Sequence, residues 1–196
     1  MQDLDRNDID MLLQAVGELL EAEGEHIGIV VVGGASLNLL GLVPRTTQDV
    51  DVIASVRPAE DPAVSVLEQP DPLPEPLTRA IATVARDFDL SQDWMNTEIA
   101  AQWLQGLPPT LPKDITWKTY GALRVGLAGR QTLITLKLFA AADRGPTSVH
   151  YQDLVRLQPA NEELEEAALW VRTQYASKDF ATFVDQVIER VHRDRT

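Results

Sequence analysis

Residues 27–53 read IGIVVVGGASLNLLGLVPRTTQDVDVI. The first six are apolar and mostly β-branched, the pattern of a buried strand. Gly33 and Gly34 break that strand, and Ser36 stands where a hydroxyl caps a short helix over residues 36–42, closed by Gly41 and Pro44. Residues 49–56 then alternate polar and apolar as a second strand, with Asp49 and Asp51 on either side of Val50. Strand, glycine turn, short helix and acid-bearing strand together predict an α/β (α+β) fold.

The flanking chain extends this reading. Residues 5–23 place Ile9, Leu12, Leu13, Val16, Leu19 and Leu20 at helical spacing, with acids on the opposite face. Residues 57–76 hold six of the twelve prolines and predict an extended loop. Helices are predicted over 77–87 and 93–105, and a strand or hairpin over 115–127. A strongly apolar helix follows over 131–142, and two more over 161–175 and 177–193 close the chain. The expected organisation is an α/β core over residues 1–150, a mixed sheet flanked by helices. A helical C-terminal portion, 151–196, is expected to pack on that core.

Composition bounds the function. The chain has 196 residues, 44% hydrophobic and 24% charged, within the range of a globular domain. No stretch approaches the roughly 18–20 apolar residues of a membrane span. The first residues, MQDLDRNDIDM, are acidic and unlike a signal peptide, so a cytoplasmic location without membrane partners is expected. Cysteine is absent and the three histidines are scattered, which excludes thiolate sites and disfavours zinc. A net charge of −13 disfavours broad polyanion binding. The stretch 113–137 runs against that balance, with Lys113, Lys118, Arg124, Arg130 and Lys137 against Asp114. It reads either as a local surface for a triphosphate or RNA end, or as a solvated face.

Asp49 and Asp51, two apart on a strand, project from one face about 6–7 Å apart along the backbone. Such carboxylates repel unless a cation lies between them. Mg²⁺ takes oxygen ligands, commonly one or two protein carboxylates plus substrate phosphates. Gly33 and Gly34 let backbone approach a ligand closely. Arg45, Thr46 and Thr47 precede the acids; Arg45 reads either as a phosphate contact or as the partner of Asp49 or Asp51. On the predicted helix, Lys137 shares a face with Leu133, Ile134, Ala140 and Ala141. A lysine there requires an anionic substrate, Asp153 turned back towards it, or a stem that snorkels to water.

The motif VGGASLNLLGLVPRTTQDVDV resembles the signature of the nucleotidyltransferase (DNA polymerase β-like) superfamily. In that family the glycines and serine hold a triphosphate and the Asp-apolar-Asp binds magnesium. The variant found here is similar to a small bacterial nucleotidyltransferase-like branch related to abortive-infection type E toxins. There a later helix carries a lysine, followed by an Arg and an Asp-Leu. In TLKLFAAADRGPTSVHYQDLVRL these fall on Lys137, Arg144, Asp153 and Leu154. The resemblance covers about residues 27–170. It implies Asp49 and Asp51 as metal ligands and catalytic acids, with Lys137 and Asp153 as further catalytic residues. Gly33, Gly34, Ser36, Arg45 and Thr47 would bind the nucleotide, and Asn96 would join the pocket.

The implied activity is transfer of a nucleoside monophosphate from an NTP, with Mg²⁺ or Mn²⁺, to an RNA, protein or small-molecule acceptor. A toxin of a toxin–antitoxin pair would take a tRNA or protein acceptor and an antitoxin protein as partner. The chain departs from the family pattern at one point: the later strand, TYGALRVGLAG, lacks the third acid. Asp89, Asp93 or Asp153 would have to substitute. The alternative is a catalytically inactive nucleotide- or partner-binding module on the same fold.

Overall fold

A computed structural model of the chain describes residues 3–57 and 66–195. Contacts divide it into two compact units, Met1–Gly106 with Ile115–Ala128, and Leu107–Asp114 with Gly129–Thr196. The expected fold class is found: a six-stranded mixed sheet with helices, and a helical C-terminal region.

In the first unit, α1 (Arg6–Ala22) starts at Asp5, whose carboxylate accepts from the amides of Asn7 and Asp8 while Asp8 answers the Asp5 amide. Such a capping box is worth about 1 kcal/mol. The predicted apolar stripe is buried at Ile9, Leu12, Leu13, Val16 and Leu20, with Leu19 half-buried. Gly17 lies within it because a Cβ there would overlap the Tyr120 carbonyl; the Ala122 amide donates to the Gly17 carbonyl at 3.2 Å. Helix and hairpin therefore meet backbone to backbone. The hairpin is β5 (Ile115–Tyr120) and β6 (Leu123–Ala128), turning at Gly121.

The other strands are β1 (Ile27–Val31), β2 (Val50–Arg57), β3 (Val66–Glu68) and β4 (Met95–Asn96), and the sheet order is β3-β2-β1-β6-β5. β1 runs parallel to β6 and antiparallel to β2; the two-residue β4 lies parallel to the start of β2. Ile29, Val31, Val50, Val52 and Val125 form a core with α1 and with Leu77, Ile81 and Val84 of α3 (Glu75–Asp87).

Two expectations change. Residues 93–105 are not one helix: β4 comes first, then a 3-10 helix over Glu98–Leu104. Trp94 is the cause. Its buried indole donates to the Ile81 carbonyl at 3.2 Å, and its own carbonyl accepts from the Val50 amide at 2.7 Å, which draws the chain alongside β2. Within the proline-rich stretch, β3 and the N-terminus of α3 replace part of the loop; residues 58–65, with Pro58 and Pro62, lie outside the described residues.

The second unit is built on α4 (Arg130–Arg144), against which α5 (Val149–Arg156), α6 (Asn161–Val171) and α7 (Lys178–Asp194) each pack. Asp114 caps α4 from outside it, accepting from the amides of Gln131 at 3.1 Å and Thr132 at 3.5 Å. Gly129 permits this, because the Asp114 carboxylate occupies the space a Cβ would take. Among the described residues no helix is long and apolar enough to cross a membrane.

Candidate functional site

Helix α2 (Gly33–Leu39) begins at the glycines themselves, three residues ahead of the predicted start. Ser36 therefore lies inside the helix and does not cap it; the N-cap is Val32, which makes no side-chain cap bond. The Ser36 hydroxyl, fully buried, donates back to the Val31 carbonyl at 2.8 Å and fastens α2 to the end of β1.

Gly33 adopts φ +67°, a left-handed conformation that favours glycine. A Cβ at Gly33 would collide with the Asp51 carboxylate, whose Cγ would lie 3.3 Å away. One at Gly34 would strike the Thr47 side chain, 2.7 Å from its Cβ, and approach the Arg45 guanidinium at 2.9 Å. The two glycines thus make room for different groups: Gly33 for Asp51, Gly34 for Thr47 and Arg45.

The pairing of β1 with β2 sets where Asp51 stands. Val30 lies opposite Ala54 and Val31 opposite Val52, so Ile53 is the extra residue of a β-bulge. Its carbonyl accepts instead from the Trp103 indole at 2.5 Å. Beyond the bulge the Val32 amide donates to the Asp51 carbonyl at 3.0 Å, which brings Asp51 beside the glycine turn. Val50 is buried and Asp49 and Asp51 are half-buried, as alternation on a strand predicts. The Thr47 hydroxyl lies 3.3 Å from both the carbonyl and Oδ1 of Asp49. Arg45 is held at both ends: its backbone carbonyl accepts from Asn38 at 2.6 Å, and its side-chain Nε donates to the Thr46 carbonyl at 2.7 Å.

Gly33, Gly34, Arg45, Thr47, Asp49 and Asp51 are thus gathered around one turn of the first unit. Asn96 stands next to Asp51 across the β2–β4 pair. Its Oδ1 accepts from the Glu98 amide at 3.0 Å. Asp93, from the same loop, is held below the usual carboxylate range by the hydrogen bond from Ser91. Among the described residues no group of three or more His, Cys, Asp or Glu side chains gathers into a metal cluster. Asp49 and Asp51 offer the two carboxylates that an Mg²⁺-type ion accepts when phosphates complete its shell.

Asn38 was not singled out by sequence, although an asparagine inside SLNLL is a signal. It is buried, and it fixes the backbone from which Arg45 reaches Gly34. Trp103 was not assigned to the site by sequence either, yet its indole answers the carbonyl left over by the bulge.

Lys137 and Asp153 belong to the second unit, where they find each other. Lys137 Nζ donates to Asp153 Oδ2 at 2.7 Å, with the two side chains 7% and 0% exposed. The lysine does not snorkel: its partner is the aspartate, and the pair joins α4 to α5. Leu154 is buried beside it in sequence, and Arg144 lies exposed in the last turn of α4.

The basic stretch 113–137 is divided between the two units. In the first unit, Lys118 is 3.3 Å from Asp10 and the Arg124 guanidinium lies 4.1 Å over the Trp117 ring. In the second unit, Arg130 binds Glu163 through two nitrogens, at 2.7 and 3.1 Å, and Lys137 binds Asp153.

Compared with known proteins, the chain matches no family model, no curated protein and no solved structure.

Proposed function

We propose that the first unit binds a nucleoside triphosphate together with Mg²⁺ or Mn²⁺ and transfers its nucleoside monophosphate to an acceptor. The observation that carries this reading is the close approach of the Asp51 carboxylate to Gly33, a residue whose φ and bare Cα leave space for it. Like charges at Asp49 and Asp51 repel each other, a repulsion a bound cation would relieve, and the turn beside them tolerates no side chain. In this reading Asp49 and Asp51 hold the metal, and Gly33 and Gly34 let phosphate oxygens approach the backbone. Arg45 and Thr47 stand on the Gly34 side to meet the triphosphate. The Ser36 hydroxyl, bound to Val31, supports the turn from beneath.

The ion would supply charge neutralisation at the α-phosphate while pyrophosphate leaves. Pairing of Lys118, Arg130 and Lys137 with acids in their own units favours a protein or small-molecule acceptor over tRNA. In the toxin form of the proposal, the acceptor is a tRNA or a protein, and an antitoxin protein restrains the activity.

One observation favours a second reading. Neither β5 nor β6 carries an acid, and no third carboxylate joins Asp49 and Asp51 among the described residues. That is what a catalytically silent nucleotide- or partner-binding module on the same fold would show. Isothermal titration of the four NTPs with and without Mg²⁺ tests both readings, on the wild type and on Asp49→Ala/Asp51→Ala. Metal-dependent binding that the double variant loses, followed by label transfer from an α-labelled NTP, supports the transferase. Binding without transfer leaves the silent module, and no binding at millimolar NTP removes both nucleotide readings.

A further inference from the structure

In the second unit, α6 and α7 both lean on α4 and touch each other only lightly. A groove of about 790 Å³ remains between them. Its two walls are helical stripes: Glu162, Glu165 and Leu169 on α6, and on α7 Asp185 with Ile188 and Glu189, three and four residues further on. Leu164 and Ala168 lie beneath, both buried. Leu169 is 70% exposed, a large apolar side chain on the rim of a groove whose other wall carries Ile188.

Charge selects the occupant. With Glu166, the groove is lined by five carboxylates. Against them stand His192 and Arg172, and the guanidinium of Arg172 is already bound to Asp185. A nucleic acid or an anionic membrane surface would be repelled. A second copy of this chain, at net charge −13, would bring more acid to an acidic groove. A helix with an apolar stripe and lysine or arginine on its flanks meets both features, since its stripe covers Leu169 and Ile188 and its cations face the glutamates. The 11 residues of α6 give a wall about 16 Å long, enough for three turns of such a helix.

We propose that the α6–α7 groove docks a basic amphipathic helix of a partner protein. The acids and Leu169 are the recognition elements, and Arg172–Asp185 closes one end. This docking surface does not depend on the nucleotide site, and neither proposal falls with the other.

The test uses the full chain and two fluorescein-labelled 14-residue helical peptides with the same leucine stripe. One carries lysine on its polar face and the other glutamate. Fluorescence anisotropy is expected to show binding of the lysine peptide, with the glutamate peptide at least about tenfold weaker. Leu169→Asp and Glu165→Gln/Glu189→Gln should each weaken the lysine peptide about tenfold. A control pair that removes the same charge from α1, Glu18→Gln/Glu21→Gln, should leave it within about twofold. All these positions are exposed, and circular dichroism confirms that each variant is folded. Equal loss in the control pair would mean only non-specific attraction and would overturn the proposal. So would equal binding of both peptides, no binding at millimolar chain, or a dimer in sedimentation that Leu169→Asp dissolves.

Discussion

Two acid-bearing sites of this molecule follow opposite rules. At the β1–α2 turn, two like charges, one just before β2 and one on it, stand half-buried, with Asp51 against a glycine that takes no side chain. Between α4 and α5, two opposite charges are buried against each other. A buried ion pair contributes little net stability but is costly to break, because the surviving charge cannot recover its hydration. Like charges at a half-buried turn repel each other, and their removal should relieve that repulsion. Under the proposed function the first arrangement serves binding, while the geometry of the second ties α4 to α5. Substitutions at each should separate them.

The largest effect is expected at the buried pair. Lys137→Ala should lower unfolding free energy by about 3–5 kcal/mol, read by urea denaturation, since it strands Asp153 in the interior. Lys137→Met/Asp153→Leu should recover most of that loss. If Lys137→Ala costs under about 1 kcal/mol, the pair is not the structural device described.

Gly33→Ala comes next. The new Cβ meets the Asp51 carboxylate at a φ that alanine disfavours, so a loss of about 1–3 kcal/mol is expected. If the nucleotide proposal holds, metal-dependent NTP binding should fall with it in calorimetry. Asp49→Asn/Asp51→Asn should by contrast leave stability within about 1 kcal/mol of wild type, or slightly raise it. The same pair should abolish Mg²⁺-dependent binding. A double variant that unfolds would place these acids with the structural pair and dissolve the contrast.

The smallest effect concerns pH. The hydrogen bonds from Arg130 hold the Glu163 carboxyl below its ordinary 4.5, although partial burial opposes them. A carboxyl depressed in the folded state binds fewer protons than in the unfolded chain. Its contribution is therefore complete above 4.5 and disappears as pH falls through the lower folded value. Melting temperature followed from pH 6 to pH 3 should drop more for wild type than for Glu163→Gln, and superimposed curves would exclude the contribution.

How legible these sites were depends on how far apart in sequence their parts lie. The β1 strand, the glycine turn and the acid strand fall within 27 consecutive residues. Their side chains alternate by the geometry of the strand alone, so the pattern showed in the sequence. The α1 stripe was legible for the same reason, and Asp153 was among the stated partners of Lys137 because it lies one helix further on. The partners of the basic stretch were not legible. Lys118 answers Asp10, 108 residues earlier, and Arg130 answers Glu163, 33 residues later, and no local pattern encodes either. The 93–105 segment misled because one buried tryptophan, bonded to Ile81 and Val50, outweighs a helical spacing of apolar residues. Ser36 was placed one turn too early because Gly33, a poor helix former, nonetheless starts α2.

The Asp114 cap on α4 has a consequence for synthesis. The chain contributes residues 107–114 to the helical unit, returns to the sheet for β5 and β6, and only then begins α4 at Arg130. On the ribosome Asp114 emerges before the amides it will hold, and the sheet's last hairpin is completed in between. Domains that fold from the N-terminus as they are made can do so here only with a short strap left waiting. No single cut in the polypeptide yields both units whole, so a fragment ending at Ala128 would carry that strap with nothing to fasten.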